Sequence, residues 1–140
     1  MLTCDDVDPE RIGVTEFSGG GTITSYIAAF DDRVKVSVPC SWSTASRRQL
    51  ETKGVQDAET IFVRGVAEGI TFEDLIGCIA PRKVVLADLQ NQRLEPASGE
   101  LIERDTAFPR SVYTSKNAPG NLKITSSSES AVSLVDWSFK

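Results

Sequence analysis

Apolar and polar positions along the chain repeat mainly in twos. In Arg33-Val34-Lys35-Val36-Ser37-Val38-Pro39 they alternate without a break, with every valine on one side. A period of two is that of a β-strand with one face in a core and the other in water. Pro39 is expected to end the ladder because it has no N–H to give. Arg33, Lys35 and Ser37 then line an open face. Upstream, Ile12 to Phe17 reads as a short strand and Ser18-Gly19-Gly20-Gly21 as a flexible hairpin turn. Thr22 to Phe30 reads as a longer strand, and Asp31-Asp32 as the next tight turn.

The later pattern continues in the same manner. Thr60 to Val66 is apolar on both sides, as in a central strand covered from above and below. Phe72, Leu75, Ile76 and Ile79 fall at i, i+3, i+4 and i+7, predicting a helix over Phe72–Ile79. Thr71 can cap it, while Glu73 and Asp74 suit the positive end of its dipole. Lys83 to Leu89 reads as a strand, Gln90 to Gly99 as a polar loop, and Leu101–Glu103 and Ser111–Thr114 as short edge strands. Asn117-Ala118-Pro119-Gly120 is a turn. Leu122–Thr125 and Ala131–Phe139 then form a final antiparallel pair, the second with a change of phase that a bulge would explain. The pattern predicts an all-β fold, an antiparallel β-sandwich or small β-barrel with one short helix. It forms a single β-domain over residues 1–140, with an acidic N-terminal segment at 1–11 and a long polar loop at 41–56.

Composition changes this picture little. A length of 140 residues, 40% of them hydrophobic and 25% charged, fits one domain with a real core. Twenty acidic against 15 basic residues leave a net charge of −5, which speaks against wrapping phosphate backbones. The basic pair Arg47-Arg48 lies in the polar loop, where solvation or contact with an acidic partner would account for it. Asp5, Asp6, Asp8 and Glu10 lack the glycine and distal glutamate of a calcium loop. No apolar run approaches the roughly 20 residues of a membrane span. The N-terminus lacks the basic and apolar segments of a signal peptide, so synthesis in the cytoplasm is expected. Cys4, Cys40 and Cys78, odd in number and widely spaced, fit reduced thiols.

The candidate chemistry is sparse. The chain has no histidine, which removes the commonest general base and the commonest zinc ligand. No Ser/His/Asp or Cys/His set, HExxH, CxxC or Rossmann glycine pattern is present. The triple glycine could suggest a phosphate cradle, but it lacks a following Lys-Ser/Thr and is expected to join two strands. Trp42 and Trp137, with Tyr26 and Tyr113, could stack on a sugar, although packing explains them better. No catalytic residue, cofactor or metal is expected.

Three segments carry a resemblance: Val34-Lys35-Val36-Ser37-Val38-Pro39-Cys40-Ser41-Trp42, then Asp57-Ala58-Glu59-Thr60-Ile61-Phe62-Val63 beyond a polar flap, then Arg82-Lys83-Val84-Val85-Leu86. Their order resembles that of small tailed-bacteriophage neck (head-closure or head-completion) proteins, which are β-barrels with a flap. The resemblance implies a non-enzymatic structural protein of a virion, as a head–tail neck component or a capsid cement (decoration) protein. Its partners would be further copies of itself, in a homo-oligomer, and other virion proteins such as capsid or portal, with no specific nucleic-acid sequence and no membrane. The candidate partner contacts are Arg33, Lys35, Ser37, Trp42, Arg47 and Arg48. A carbohydrate- or receptor-binding β-sandwich module is the alternative.

Overall fold

A computed structural model of the chain describes residues 4–41, 64–65, 67–89 and 96–125. Strands and helices alternate along it. A 3-10 turn at Pro9–Arg11 leads into β1 (Ile12–Phe17), α1 (Gly19–Phe30), β2 (Val34–Cys40), α2 (Phe72–Ile79), β3 (Lys83–Ala87), α3 (Gly99–Ser115) and β4 (Leu122–Thr125). The strands form one four-stranded sheet in the order β1-β2-β3-β4, and every pairing is parallel. The expected antiparallel all-β sandwich or barrel is therefore wrong: this is an α/β fold. Parallel neighbours cannot be joined by a hairpin and need a crossover, usually helical.

Three of the segments read as strands lie in two helices. Thr22–Phe30 belongs to α1, although Thr22, Ile23 and Thr24 are β-branched and favour strands locally. Its buried face is made of small residues, Gly21, Thr22, Thr24, Ser25 and Ala28, which let the helix axis come close to the sheet. Ile23, Tyr26, Ile27 and Phe30 do recur at helical spacing, yet Ile23 and Ile27 lie on the exposed side. Leu101–Glu103 and Ser111–Thr114 both lie in α3, whose buried residues are Asp105, Thr106, Pro109 and Tyr113. Ile102 and Tyr113 reach the core from this helix, but an acid, a threonine and an internal proline interrupt the apolar stripe between them.

The valine alternation in β2 has a different meaning from the one expected. The β1–β2 register steps from Ile12↔Val34 to Gly13↔Val36, so Lys35 is an extra residue that shifts the phase of the strand. Val34 joins a core cluster that includes Ala28 of α1, Phe72, Leu75, Ile76 and Ile79 of α2, Tyr113 of α3, and Val84 and Leu86 of β3. Val36 and Val38 join Val85 and Ala87 in a second cluster. Since side chains alternate along β3, the two clusters lie on opposite faces of the sheet. Thus β2 is an inner strand buried on both faces, and Pro39 lies within it, opposite Glu16.

Other expectations hold. β1, β3 and β4 occupy the strand positions read from the sequence, and α2 spans the residues predicted for it. Thr71 accepts from Asp74 N–H while the Asp74 carboxylate accepts from Thr71 N–H, a reciprocal capping box. β4, however, pairs in parallel with β3. The strands read at Thr60–Val66 and Ala131–Phe139 fall almost wholly outside the described residues; of the former, Arg64 and Gly65 form a turn. No helix among the described residues is long and apolar enough to cross a membrane.

Candidate active site

A parallel sheet gathers its strand ends, and the carboxyl end is where α/β folds bind ligands. Here that end is marked by backbone strain. Ser18, Ser41 and Asp88 directly follow β1, β2 and β3, with φ of 56°, 49° and 50°. A non-glycine residue in such a conformation costs on the order of 1–3 kcal/mol and persists only where its surroundings enforce it.

Ser18 is the sharpest case. With φ 56° and ψ −123° it forms the turn between β1 and α1, and its side chain makes no capping bond to the helix it precedes. The turn is pinned from two directions. Ser18 N–H donates to the Cys40 carbonyl at 3.0 Å, and Thr22 N–H donates to the Ser18 carbonyl at 3.2 Å. Gly21 lies so close to β2 that a Cβ there would stand 2.5 Å from the Cys40 carbonyl oxygen. Ser18 itself is exposed, beside Phe17, which is 59% exposed. A serine on a strained strand-to-helix turn at the top of a parallel sheet is the arrangement called a nucleophile elbow, with the pattern G-x-S-x-G. Glu16-Phe17-Ser18-Gly19-Gly20 keeps the serine and the second glycine and has Glu16 in place of the first. Gly19 heads α1, so its N–H has no acceptor within the helix.

The neighbouring tips are tied together. Ser41 Oγ donates to Asp88 Oδ2 at 2.8 Å, Ser41 N–H to the Ala87 carbonyl at 3.0 Å, and Asp88 N–H to the Thr125 carbonyl at 2.9 Å. The two backbone bonds carry the ladder one step past the ends of β2 and β3. The local field is negative: the half-buried Cys40 thiol is pushed up by burial first, and then by the charges of Asp88 and Glu16, against a hydrogen bond with Thr15. Among the described residues no group of three or more His, Cys, Asp or Glu is placed to hold a metal ion.

The residues singled out from the sequence lie elsewhere. Arg33 pairs with Asp31 just before β2, at the opposite end of that strand from Cys40. Lys35 pairs with Glu10 at 3.5 Å. Ser37 is fully buried within β2, so it does not share an open face with Arg33 and Lys35. Trp42, Arg47 and Arg48 lie outside the described residues. Sequence reasoning misses Ser18, because Ser18–Gly21 reads as a hairpin turn between two strands. The available signal was Ser-Gly-Gly directly after a strand, followed by apolar residues at i, i+3, i+4 and i+7.

Comparison with known proteins agrees with the α/β architecture. No protein-family model matches the chain. A Bacillus subtilis (strain 168) protein named "Putative hydrolase YtaP" is 29% identical over 120 residues, which cover 84% of this chain and 39% of the relative. The chain therefore spans about two fifths of the length of the curated relative it matches. Among solved structures, a "putative acetyl xylan esterase" of Bacteroides fragilis has a TM-score of 0.67 at 17% identity, over 92% of this chain and 33% of that one. A family 15 glucuronoyl esterase of Caldicellulosiruptor kristjansonii also has a TM-score of 0.67, at 18% identity, over 96% of this chain and 44% of that one. The methylesterase BT1017 gives a TM-score of 0.56 at 19% identity, over 91% of this chain and 27% of that one. The fold is thus the one these esterases share. These likenesses overturn the expected phage neck protein, its non-enzymatic structural role and its virion location, and give no support to the carbohydrate-binding alternative.

Proposed function

We propose that the chain carries the nucleophile of a serine hydrolase acting on carboxylic esters, with Ser18 as the attacking residue. The observation that carries this reading is the exposed serine held at φ 56° and ψ −123° between a parallel strand and a helix. In the reaction, Ser18 Oγ bonds to the ester carbonyl carbon and its proton passes to a base. The oxyanion that forms is stabilised by backbone N–H groups, with Gly19 N–H as the donor from the elbow. Collapse breaks the bond to the leaving alkoxide, which departs with the electron pair and takes up a proton. Water then releases the acyl group as a carboxylic acid and restores Ser18.

The base is not an imidazole of these 140 residues, since none of them is histidine. In serine hydrolases, losing the histidine costs on the order of 10⁶ in kcat, while oxyanion donors and binding retain roughly 10³–10⁴ over water. The chain by itself is therefore expected to acylate slowly, with little turnover.

The test is single-turnover release of p-nitrophenolate from p-nitrophenyl acetate, compared with Ser18→Ala and Ser18→Gly. Glycine is the control for folding, because it adopts the strained turn freely. The reading expects a stoichiometric acetyl group on Ser18 and its loss in both variants. Equal release from all three proteins would overturn it.

A further inference from the structure

The first glycine of the elbow pattern is replaced by Glu16, and the replacement is accommodated in a specific way. The first turn of α1 folds back over the end of β1. A Cβ at Gly20 would stand 1.8 Å from Glu16 Cγ, 2.8 Å from its Cβ and 3.0 Å from its Cδ. The glutamate stem therefore occupies the space that the bare Gly20 leaves open. Its carboxylate is held at the elbow, with Oε1 accepting from Phe17 N–H at 3.0 Å. The residue bonded in this way is the immediate neighbour of Ser18. The charge is felt across the strand tips, since Glu16 and Asp88 both raise the Cys40 thiol, and the Cys40 carbonyl receives Ser18 N–H.

This places a fixed negative charge where the reaction develops another. Attack by Ser18 creates an oxyanion at the amino end of α1, and a carboxylate beside it opposes that charge. The same carboxylate repels anionic substrates and attracts cationic ones. Resting on the hydrolase reading above, we propose that Glu16 is a charge-selecting residue at the elbow, favouring esters that carry a cationic group and holding Ser18 back from anionic ones. Glu16 is exposed, so the effect is moderate and sensitive to salt, about three- to tenfold at low ionic strength.

The experiment measures acylation of Ser18 by p-nitrophenyl esters of acetic acid (neutral), glutaric acid (bearing a free carboxylate) and betaine (bearing a quaternary ammonium). The full chain is compared with Glu16→Gln and Glu16→Asp at low and at 1 M salt, the latter shrinking the screening length to about 3 Å. Glu16→Gln is expected to raise the rate with the glutarate ester about tenfold, raise it less with acetate, and lower it with betaine. Glu16→Asp is expected to keep the wild-type order, and 1 M salt to compress all the differences. A merely structural role would move the three esters together, so equal ratios in Glu16→Gln would overturn the proposal. A lower rate with acetate in that variant would also overturn it, because it would make the carboxylate a base. Absence of acyl-Ser18 in every protein would overturn the hydrolase reading itself, and charge selection with it.

Discussion

Gly21→Ala tests how tightly the elbow is built. By helix propensity alone, replacing a glycine within α1 with alanine should stabilise the protein by about 0.8–1 kcal/mol. The structure opposes that gain. The new Cβ would lie 2.5 Å from the Cys40 carbonyl oxygen, 3.3 Å from its nitrogen and 3.4 Å from its carbonyl carbon, and all three are backbone atoms of β2. None of them can rotate away, so α1 must lift from the sheet. Overpacking of this kind costs roughly 1–3 kcal/mol. Lifting the helix also strains the bond from Ser18 N–H to the same carbonyl, which is worth about 1 kcal/mol. The balance is a destabilisation of about 2 kcal/mol, measured as a lower urea midpoint at unchanged slope. Gly99→Ala is the control: it also lies at the start of a helix, but nothing is within 4 Å of the added methyl. That variant is expected to match or exceed the stability of the parent. A Gly21→Ala protein as stable as Gly99→Ala would refute the close approach of α1 to β2.

Other outcomes follow from the same contacts. Gly20→Ala is expected to destabilise by about 1–3 kcal/mol through its clash with Glu16 Cγ, and Glu16→Gly to relieve most of that loss in a double-mutant cycle. Ser18→Gly is expected to raise stability by about 1 kcal/mol while removing acylation, because it releases a backbone conformation that serine pays to hold. Tyr113 is fully buried and its hydroxyl donates to the Arg82 carbonyl at 2.8 Å, so Tyr113→Phe should cost about 1–2 kcal/mol in urea denaturation. Burial holds the Glu73 carboxyl above the usual carboxylate range, with smaller contributions from the charges of Asp105 and Asp74. A raised folded-state value means that the stability linked to its protonation is present at low pH and lost as pH rises through that value. Glu73→Gln should therefore flatten this part of the pH–stability curve and stabilise the protein at pH 7.

The legible parts of the fold were those where local pattern and tertiary role agree. α2 has a cap, acidic residues in its first turn and a clean apolar face, so its limits could be read directly. β1, β3 and β4 were found as strands, but nothing in a strand's own residues says whether its neighbour runs parallel. That depends on the crossovers, and the crossovers were the hidden elements. α1 buries glycine, threonine, serine and alanine and leaves isoleucines outside, while α3 buries an acid and a proline. In α1 the helical spacing of Ile23, Tyr26, Ile27 and Phe30 competes with a run of β-branched residues, and in α3 polar residues and a proline interrupt the apolar face. Reading α1 as a strand makes Ser18 part of a hairpin, and without histidine no base in the sequence points back to it. The alternation in β2 misled for a related reason, since the extra residue at Lys35 moves Val34 and Val36 to opposite faces.

The central claim, that Ser18 is a nucleophile held in an elbow, is tested most directly by an internal comparison. The intact chain is treated with limiting p-nitrophenyl acetate, and the rate of acetyl incorporation at each serine is followed by peptide mass spectrometry. Ser98, Ser111 and Ser115 are exposed serines outside the elbow and serve as references in the same sample. The account expects Ser18 to be acetylated at least 10²-fold faster than any of them, about one tenth of what the oxyanion donors and binding provide over water. Incorporation at Ser18 no faster than at Ser111 would contradict it.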